Sequence, residues 1–181
     1  YTFIFNNIDA MKLLLDNDSD IYILTNDNFT IFEIGFQYKR TNMLLELFKY
    51  NINYNFKNIY GQTIIQIALG YDNLEIVNFL LDKDIDLNNK DKEHGYTLLH
   101  HIVSFNNNNI IEILNKIIKI KNLDINQIDF LGNNVLHIAI NENNTKVVIK
   151  LIKMDVNYNI QNYFGNIPLH TFLENNEDIS N

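Results

Sequence analysis

Apolar residues in this chain fall into short runs with helical spacing, and polar residues separate the runs. Apolar side chains fill most of segment 64–69, Asp72 and Asn73 interrupt them, and they resume at positions 76, 77, 80 and 81. The three-and-four spacing of the second group predicts an amphipathic helix. Thr63, just before the first group, is a typical helix cap. The pattern therefore predicts two short helices joined by a tight turn.

The same pair of runs recurs along the whole chain. Neither helix of a pair is long enough to bury its apolar face alone, so each pair must stack on its neighbours. This predicts an all-α fold. The second helices are predicted at Ile8–Leu15, Met43–Phe48, Leu74–Leu81, Ile110–Ile118 and Val147–Ile152.

A short phrase precedes each first helix. It reads Asn-Phe-Thr-Ile-Phe at 28–32, Gly-Gln-Thr-Ile-Ile at 61–65, Gly-Tyr-Thr-Leu-Leu-His at 95–100, Gly-Asn-Asn-Val-Leu-His at 132–137 and Gly-Asn-Ile-Pro-Leu-His at 165–170. Its third residue recurs after 33, 34, 37 and 33 residues. A period near 33 residues is typical of a stacked repeat.

With this phrase, two helices and a polar exit such as Asp86-Leu87-Asn88, the chain resembles the ankyrin-repeat family. The resemblance extends over essentially the whole chain. It implies a solenoid of stacked antiparallel helix pairs, with β-hairpin or loop fingers projecting to one side. We expect one domain over 1–181, with repeats at 1–24 (partial), 25–57, 58–90, 91–128, 129–161 and 162–181 (partial).

Asn and Asp stand where the family has turn glycines. Both residues tolerate the left-handed backbone conformation better than other non-glycine residues. Left-handed turns are therefore predicted at Asn51, Asp72, Asp84, Asn106, Asn143, Asp155 and Asn176.

Both ends of the chain interrupt a repeat. The N-terminal block offers Phe3, Phe5, Met11 and Leu14 where a terminal repeat normally has a polar outer face. We expect further protein on one or both sides, and self-association through the terminal repeats is a hypothesis that follows.

Composition narrows the functional classes. A net charge of −8 and a single arginine, Arg40, argue against nucleic-acid binding. No apolar run is long enough to span a membrane, and the first five residues lack the basic flank and the cleavage site that are typical of a signal peptide. Heavy use of Asn, Ile and Lys suggests an AT-rich genome, such as that of a virus, a protist or an intracellular bacterium. We expect an intracellular location, either cytoplasmic or nuclear, and the cell in question can be a host cell.

Residues that could act in catalysis recur with the repeat, and their spacing does not indicate an active site. His100, His137 and His170 share one register, and the family resemblance implies that this histidine ties the finger to the helix. His94, His100 and His101 lack the spacing that a three-histidine metal site needs. Glutamates fall at different registers, so no acid–base pair is indicated. We therefore expect no enzyme, no catalytic residue, no metal site and no cofactor.

Aromatic residues recur at the finger tips and at the ends of the first helices, where the resemblance implies partner contact. Exposed aromatic residues are common in interface hot spots. The alternative is that the rings pack finger against finger, and the two arrangements are compatible. The candidate partner-binding residues are Phe29, Tyr38, Tyr60, Tyr71, Tyr96, Phe105, Phe130, Leu131, Tyr163 and Phe164.

The sequence thus predicts a non-enzymatic module that binds a protein through its concave face and fingers. Its negative charge favours a basic partner. The alternative is a regulatory or substrate-recruiting segment of a larger protein, such as an enzyme, a channel or a ubiquitin-ligase adaptor. In the fourth block the 37-residue spacing predicts a longer second helix or a longer loop after it, with Ile110–Lys121 as a second candidate surface.

Overall fold

The computed structural model describes residues 6–105, 109–120 and 122–177. Within those residues the chain is all-α, and the only β pairing consists of isolated bridges between Lys57 and Thr63 and between Ile128 and Asn134. The chain divides into two compact units, one ending at Ile85 and the other beginning at Asp86. Whether they behave as one domain over 1–181 stays a prediction.

The first unit contains five of the described helices. Helix α3 packs against its partner α2, and α5 packs against α4; α3 also contacts α1 and α5. The bounds are α1 Ile8–Asp16, α2 Ile31–Gln37, α3 Thr41–Leu47, α4 Ile64–Gly70 and α5 Leu74–Leu81.

The second unit repeats this arrangement. Helix α7 packs against α6 and α9 against α8, while α8 also contacts α6 and α10. The bounds are α6 Leu98–Ser104, α7 Ile110–Ile117, α8 Val135–Asn141, α9 Thr145–Ile152 and α10 Pro168–Glu177.

The first helices begin at the residue that the repeated phrase predicts. Thr30, Thr63, Thr97 and Asn134 are the N-caps of α2, α4, α6 and α8. In each case the side chain three positions later accepts a hydrogen bond from the backbone N–H of the cap. This reciprocal capping satisfies N–H groups that the helix itself leaves unpaired.

The predicted second helices are confirmed, with small shifts at their ends. Leu74–Leu81 matches its prediction, whereas α7 ends at Ile117. The extra residues of the fourth block therefore do not lengthen that helix. Ile118–Ile120 form a turn after it, and residues 106–108 and 121 lie outside the described part.

Each unit has its own apolar core. In the first, the ring of Phe48 stacks on Phe32 at 6.0 Å and on Phe79 at 5.3 Å between ring centroids. In the second, Leu99 and Leu136 are buried. In the N-terminal block the prediction of an apolar outer face is wrong for Met11, which is buried, while Leu14 is exposed. Phe3 and Phe5 lie outside the described residues.

The left-handed turns agree only in part with the sequence prediction. Asp72, Asn143 and Asp155 have positive φ. The prediction is wrong for Asn51 and Asp84, whose φ is not positive, and for Asn176, which lies inside α10. Asn106 lies outside the described residues. Lys39 adopts the left-handed conformation at the position of Asp72 one repeat earlier.

Candidate functional site

The fingers are the loops that precede the first helices, and in four of them one side chain holds the turn. Asn58 Oδ1 accepts hydrogen bonds from the backbone N–H groups of Tyr60 and Gln62, at 3.1 and 2.9 Å. Asp129 Oδ1 accepts from Leu131 and Asn133, both at 2.8 Å. Asp91 and Asn162 hold the other two turns in the same way. The backbone at each of these tips is therefore ordered by its own sequence.

In the second unit the second and third fingers each pack on the finger before them. The ring of Phe130 lies so close to Gly95 that a Cβ atom there would be 2.6 Å from the ring. At Gly132 a Cβ would be 2.9 Å from the ring of Tyr163. The backbone N–H of Phe130 donates to the carbonyl of His94 at 2.8 Å, and that of Tyr163 to Leu131 at 2.9 Å. The glycines thus make room for an aromatic ring as well as for a left-handed turn.

Two of the repeated histidines, His100 and His137, tie their first helix to the following finger. His100 Nε2 donates to the carbonyl of Asn133 at 3.3 Å, and His137 Nε2 donates to that of Asn166 at 2.9 Å. Burial lowers the pKa of His100 to about 4, and burial also lowers the pKa of His137. Both rings are therefore neutral at pH 7, and the structural role predicted for them is confirmed.

Most of the candidate partner-binding residues are exposed. Tyr96 and Phe105 are half-buried, and the ring of Tyr96 stacks on that of His100 at 5.4 Å. The exposed members of the set are Phe29, Tyr38, Tyr60, Tyr71, Phe130, Leu131, Tyr163 and Phe164. Since Phe130 and Tyr163 also pack over glycines, one ring can be partly packed and partly presented.

The first unit brings three of these residues to one groove. Phe29, Tyr60 and Tyr71 line a cavity of about 270 Å³ together with Glu33 and Gln66. The ring of Tyr71 stacks on that of Phe36, with 5.8 Å between the ring centroids and 18° between the ring planes, and this contact helps to fix its position. The groove has an aromatic rim and a polar component, which suits an amphipathic peptide segment.

The second unit brings two neighbouring tips together. Phe130 and Leu131 form one tip, Tyr163 and Phe164 form the next, and the backbone bond from Tyr163 to Leu131 joins them. All four side chains are exposed, and they present a contiguous apolar edge. Tyr38 stands apart, at the end of α2.

A contact between a buried aspartate and a histidine in the fourth block is a feature that the sequence analysis missed. Asp91 Oδ2 lies 2.8 Å from His101 Nε2, and the ring of Tyr96 meets His101 edge-on at 5.5 Å. Burial lowers the pKa of His101. Burial acts to raise the pKa of Asp91. The backbone N–H of His94, the nearby imidazole of His101 and the backbone N–H groups of Tyr96 and Gly95 outweigh this effect, so the pKa of Asp91 is lowered. The contact joins α6 to the finger that precedes it. Among the described residues no group of side chains could hold a metal ion.

The turn-holding residues were also missed, although the repeat register contains a signal for them. Asn58, Asp129 and Asn162 each stand five positions before the third residue of their phrase, and Asp91 stands six before Thr97. A recurring Asn or Asp ahead of a glycine is typical of a side chain that bonds to its own turn.

These helix pairs and fingers define an ankyrin-repeat protein, and the chain belongs to that family. The family model of three ankyrin repeats matches residues 38–129, and the single-repeat model matches residues 131–163. The all-α ankyrin solenoid predicted from the sequence is thereby confirmed. Ankyrin repeats are generally non-enzymatic modules for protein interaction.

Similar proteins come from viruses and animals. An ankyrin repeat protein of fowlpox virus is 26% identical over 100 residues, which are 55% of this chain and 53% of that protein. Human Rabankyrin-5 is 29% identical over 136 residues, 74% of this chain but 11% of its own length. The chain thus spans about half of one relative and about a tenth of the other.

The solved structures agree on the fold. The ankyrin repeat domain of Bcl-3, described as a member of the IkappaB protein family, superimposes with a TM-score of 0.79 at 21% identity. The match covers 94% of this chain and 76% of that one. In the part of the chain that the structure describes, no helix is long and apolar enough to cross a membrane.

Proposed function

We propose that this chain binds a partner protein through its fingers and the adjoining ends of the first helices. The observation that carries the proposal is that exposed aromatic rings stand on turns whose backbone is already held. Tyr60 follows a turn fixed by Asn58, and Phe130 follows one fixed by Asp129. A partner that binds there loses little of its affinity to ordering the loops.

Aromatic residues at these tips supply the contacts that protein interfaces use most. Tyr and Phe bury a large area with few rotatable bonds, and tyrosine keeps a polar group for the rim. The groove at Phe29, Tyr60 and Tyr71 supports an extended or helical segment as the first contact. Phe130, Leu131, Tyr163 and Phe164 supply a second contact in the other unit.

Charge favours a basic partner for this surface. The chain has a net charge of −8, which speeds association with a positively charged protein and disfavours nucleic acid. The described residues supply no converging set of catalytic groups, because the buried histidines and Asp91 are engaged in finger bonds. A non-catalytic role inside a cell, including a host cell, is therefore part of the proposal.

A second candidate function is recruitment within a larger protein. The chain corresponds to about a tenth of Rabankyrin-5 and about half of the fowlpox relative, so equivalent repeats occur as parts of longer chains. In that setting the same finger surface would bind a substrate or a regulatory segment. The flanking sequence distinguishes this arrangement from a free-standing module.

The test is affinity capture from an extract of cells that naturally express the protein, followed by binding of the purified pair. The finger variant carries Tyr60→Ala, Phe130→Ala and Phe164→Ala. A matched control carries Leu13→Ala, Leu14→Ala and Ile149→Ala, three exposed apolar residues on second helices and outside the fingers. Circular dichroism must show both variants folded.

We expect a protein that the original and the control retain and the finger variant loses. Its affinity for the finger variant should fall about tenfold or more, since truncation of an interface hot spot costs about 2 kcal/mol. Equal retention by all three proteins would contradict the proposal.

A further inference from the structure

The groove of the first unit has an exposed rim and a buried base. We call it the aromatic groove. Its rim consists of Phe29, Tyr60 and Tyr71, which are 37%, 52% and 46% exposed. Its base includes Glu33 and Gln66, which are 6% and 2% exposed. Three aromatic side chains therefore surround a floor that contains one carboxyl group.

The carboxylate of Glu33 lies between the two fingers that carry the rim. Its Oε2 accepts from the backbone N–H of Thr30, the residue after Phe29, at 2.8 Å. Its Oε1 accepts from the side chain of Asn58, which holds the turn of Tyr60, at 2.9 Å. Since a carboxylate oxygen has two lone pairs, each oxygen retains the capacity to accept one more donor.

The capping task at this position does not require a charge. Gln66 holds the same position in α4 and accepts from the N–H of its cap with a neutral carboxamide. Among the described residues, no lysine or arginine lines the aromatic groove and no ion pair includes Glu33. A buried carboxylate without a nearby cation is costly to desolvate, so a cation that enters the groove offsets part of that cost.

The aromatic rim favours a guanidinium group over an ammonium group. The ring of Tyr71 packs on Phe36 with 5.8 Å between the centroids, and much of Tyr71 remains exposed. A cation above an aromatic ring is attracted by the ring quadrupole. Guanidinium is planar and less strongly hydrated than ammonium, so it can stack on a ring while its N–H groups bind a carboxylate.

The size of the groove suits one long side chain. Its volume of about 270 Å³ lies below the range of about 300–1,000 Å³ that is common for pockets that enclose a drug-sized ligand. Gly70, the last residue of α4, forms part of the wall, and a Cβ atom there would meet nothing within 4 Å. The groove is therefore open beside Gly70.

We infer that the aromatic groove binds an arginine side chain of the partner protein. The guanidinium group lies among the rings of Phe29, Tyr60 and Tyr71, and it donates to the carboxylate of Glu33. This assignment rests on the proposed function, because it specifies which side chain of a basic partner enters the first unit.

The probe is the tripeptide acetyl-Gly-Arg-Gly-amide. Two matched peptides replace its arginine, one with citrulline, which has nearly the same shape but no charge, and one with lysine. Titration into the ¹⁵N-labelled full chain is followed by two-dimensional NMR. Gly70 is one of only six glycines, so its backbone signal is readily resolved, and the side-chain amide of Gln66 reports on the base of the groove.

Two protein variants accompany the peptides. Gly70→Leu puts a side chain into the open space of the groove, and it removes a glycine from a helix, so the fold should be retained. The matched control is Asn141→Leu, since Asn141 is exposed at the same position of α8.

We expect the arginine peptide to shift the signals of Gly70, Tyr71 and the Gln66 side chain. The citrulline peptide should bind about tenfold more weakly or less, because it lacks both the cation–π attraction and the charge-assisted hydrogen bonds. The lysine peptide should also bind more weakly than the arginine peptide. Gly70→Leu should abolish the response, and Asn141→Leu should leave it unchanged.

Three results would each overturn the inference. They are equal binding of the citrulline or the lysine peptide, unchanged binding to Gly70→Leu, and no shift at Gly70 with about 20 mM arginine peptide. If any of these accompanied a captured protein that the finger variant loses, the proposed function would stand without the arginine site. A response at Gly70 together with equal capture by all three chains would support the arginine site and contradict the proposed function.

Discussion

At the scale of single residues, the third position of α2, α6 and α8 performs two tasks with different chemistry. Glu33 accepts from the N–H of its cap residue, Thr30, and from the side chain of Asn58 in the next finger, at 2.8 and 2.9 Å. His100 and His137 likewise accept from their caps, and they donate to the next finger. One side chain therefore connects helix capping to finger position.

His100 gives a prediction for the pH dependence of stability. Its pKa is about 4 in the folded chain and 6.5 by its ordinary value, so between these values the unfolded state binds the extra proton. The stability that the neutral His100 contributes is complete above pH 6.5 and is lost as the pH falls through about 4. The total loss of unfolding free energy is about 3 kcal/mol. Denaturant unfolding at several pH values measures it.

The matched variant for this measurement is His100→Gln, since Gln66 performs the capping task at the same position of α4. We expect the variant to unfold with a shallower dependence on pH between 6.5 and 4 than the original chain. The same pH dependence in both proteins would exclude a neutral, buried His100.

At the scale of elements, helices and fingers obtain their stability differently. The helices have only seven to ten residues and depend on burial of one face against neighbouring helices. The fingers have almost no ladder hydrogen bonding in the described residues, and they rely on an Asn or Asp side chain, a glycine and an aromatic ring. This difference explains why the fingers can vary their exposed residues while the turn is preserved.

Two glycines in equivalent turns separate backbone strain from finger packing. Gly95 and Gly165 have φ of +72° and +81°, so an alanine is strained at both. A Cβ at Gly95 would also collide with the ring of Phe130, whereas nothing lies within 4 Å of a Cβ at Gly165. We expect Gly95→Ala to destabilise the chain by about 1–3 kcal/mol more than Gly165→Ala in denaturant unfolding. Equal losses would mean that Phe130 does not pack on Gly95.

At the scale of the whole molecule, charge limits the kind of partner. The 181-residue chain has 22 acidic residues against 14 basic ones, and its single arginine reduces the supply of bidentate phosphate contacts. The charge is not distributed evenly along the chain, since α9 and its C-cap carry Lys146, Lys150 and Lys153. The net charge is the reason that the proposed function includes a basic partner.

A direct test of the whole-molecule field uses nucleic acid. We expect no binding of a labelled DNA duplex or single-stranded RNA of about 30 nucleotides at about 10 µM protein in about 50 mM salt, because a chain with a net charge of −8 and one arginine is poorly suited to neutralise phosphates. Fluorescence anisotropy measures this. Binding that weakened steeply with added salt would contradict it.

Much of the fold was predictable because repetition multiplies a weak local signal. A single block with a threonine, two apolar runs and an Asp-Asn break does not define its secondary structure. Five such blocks in the same register specify the helix pairs and their caps. The left-handed turns were less predictable, since Asn51 and Asp84 have the right composition but ordinary φ, and Lys39 adopts positive φ. Backbone conformation there depends on how the flanking helices pack.

By itself the sequence determined the repeat, the helix pairs, the apolar face of each helix and the register of the aromatic residues. Only the tertiary structure decided which aromatic rings are exposed, because Tyr96 is covered by His100 and His101 whereas Tyr60 is not. It also decided that Asp91 lies in contact with His101. Periodicity specifies which face of a helix is apolar, but coverage of that face depends on side chains that are distant in the chain.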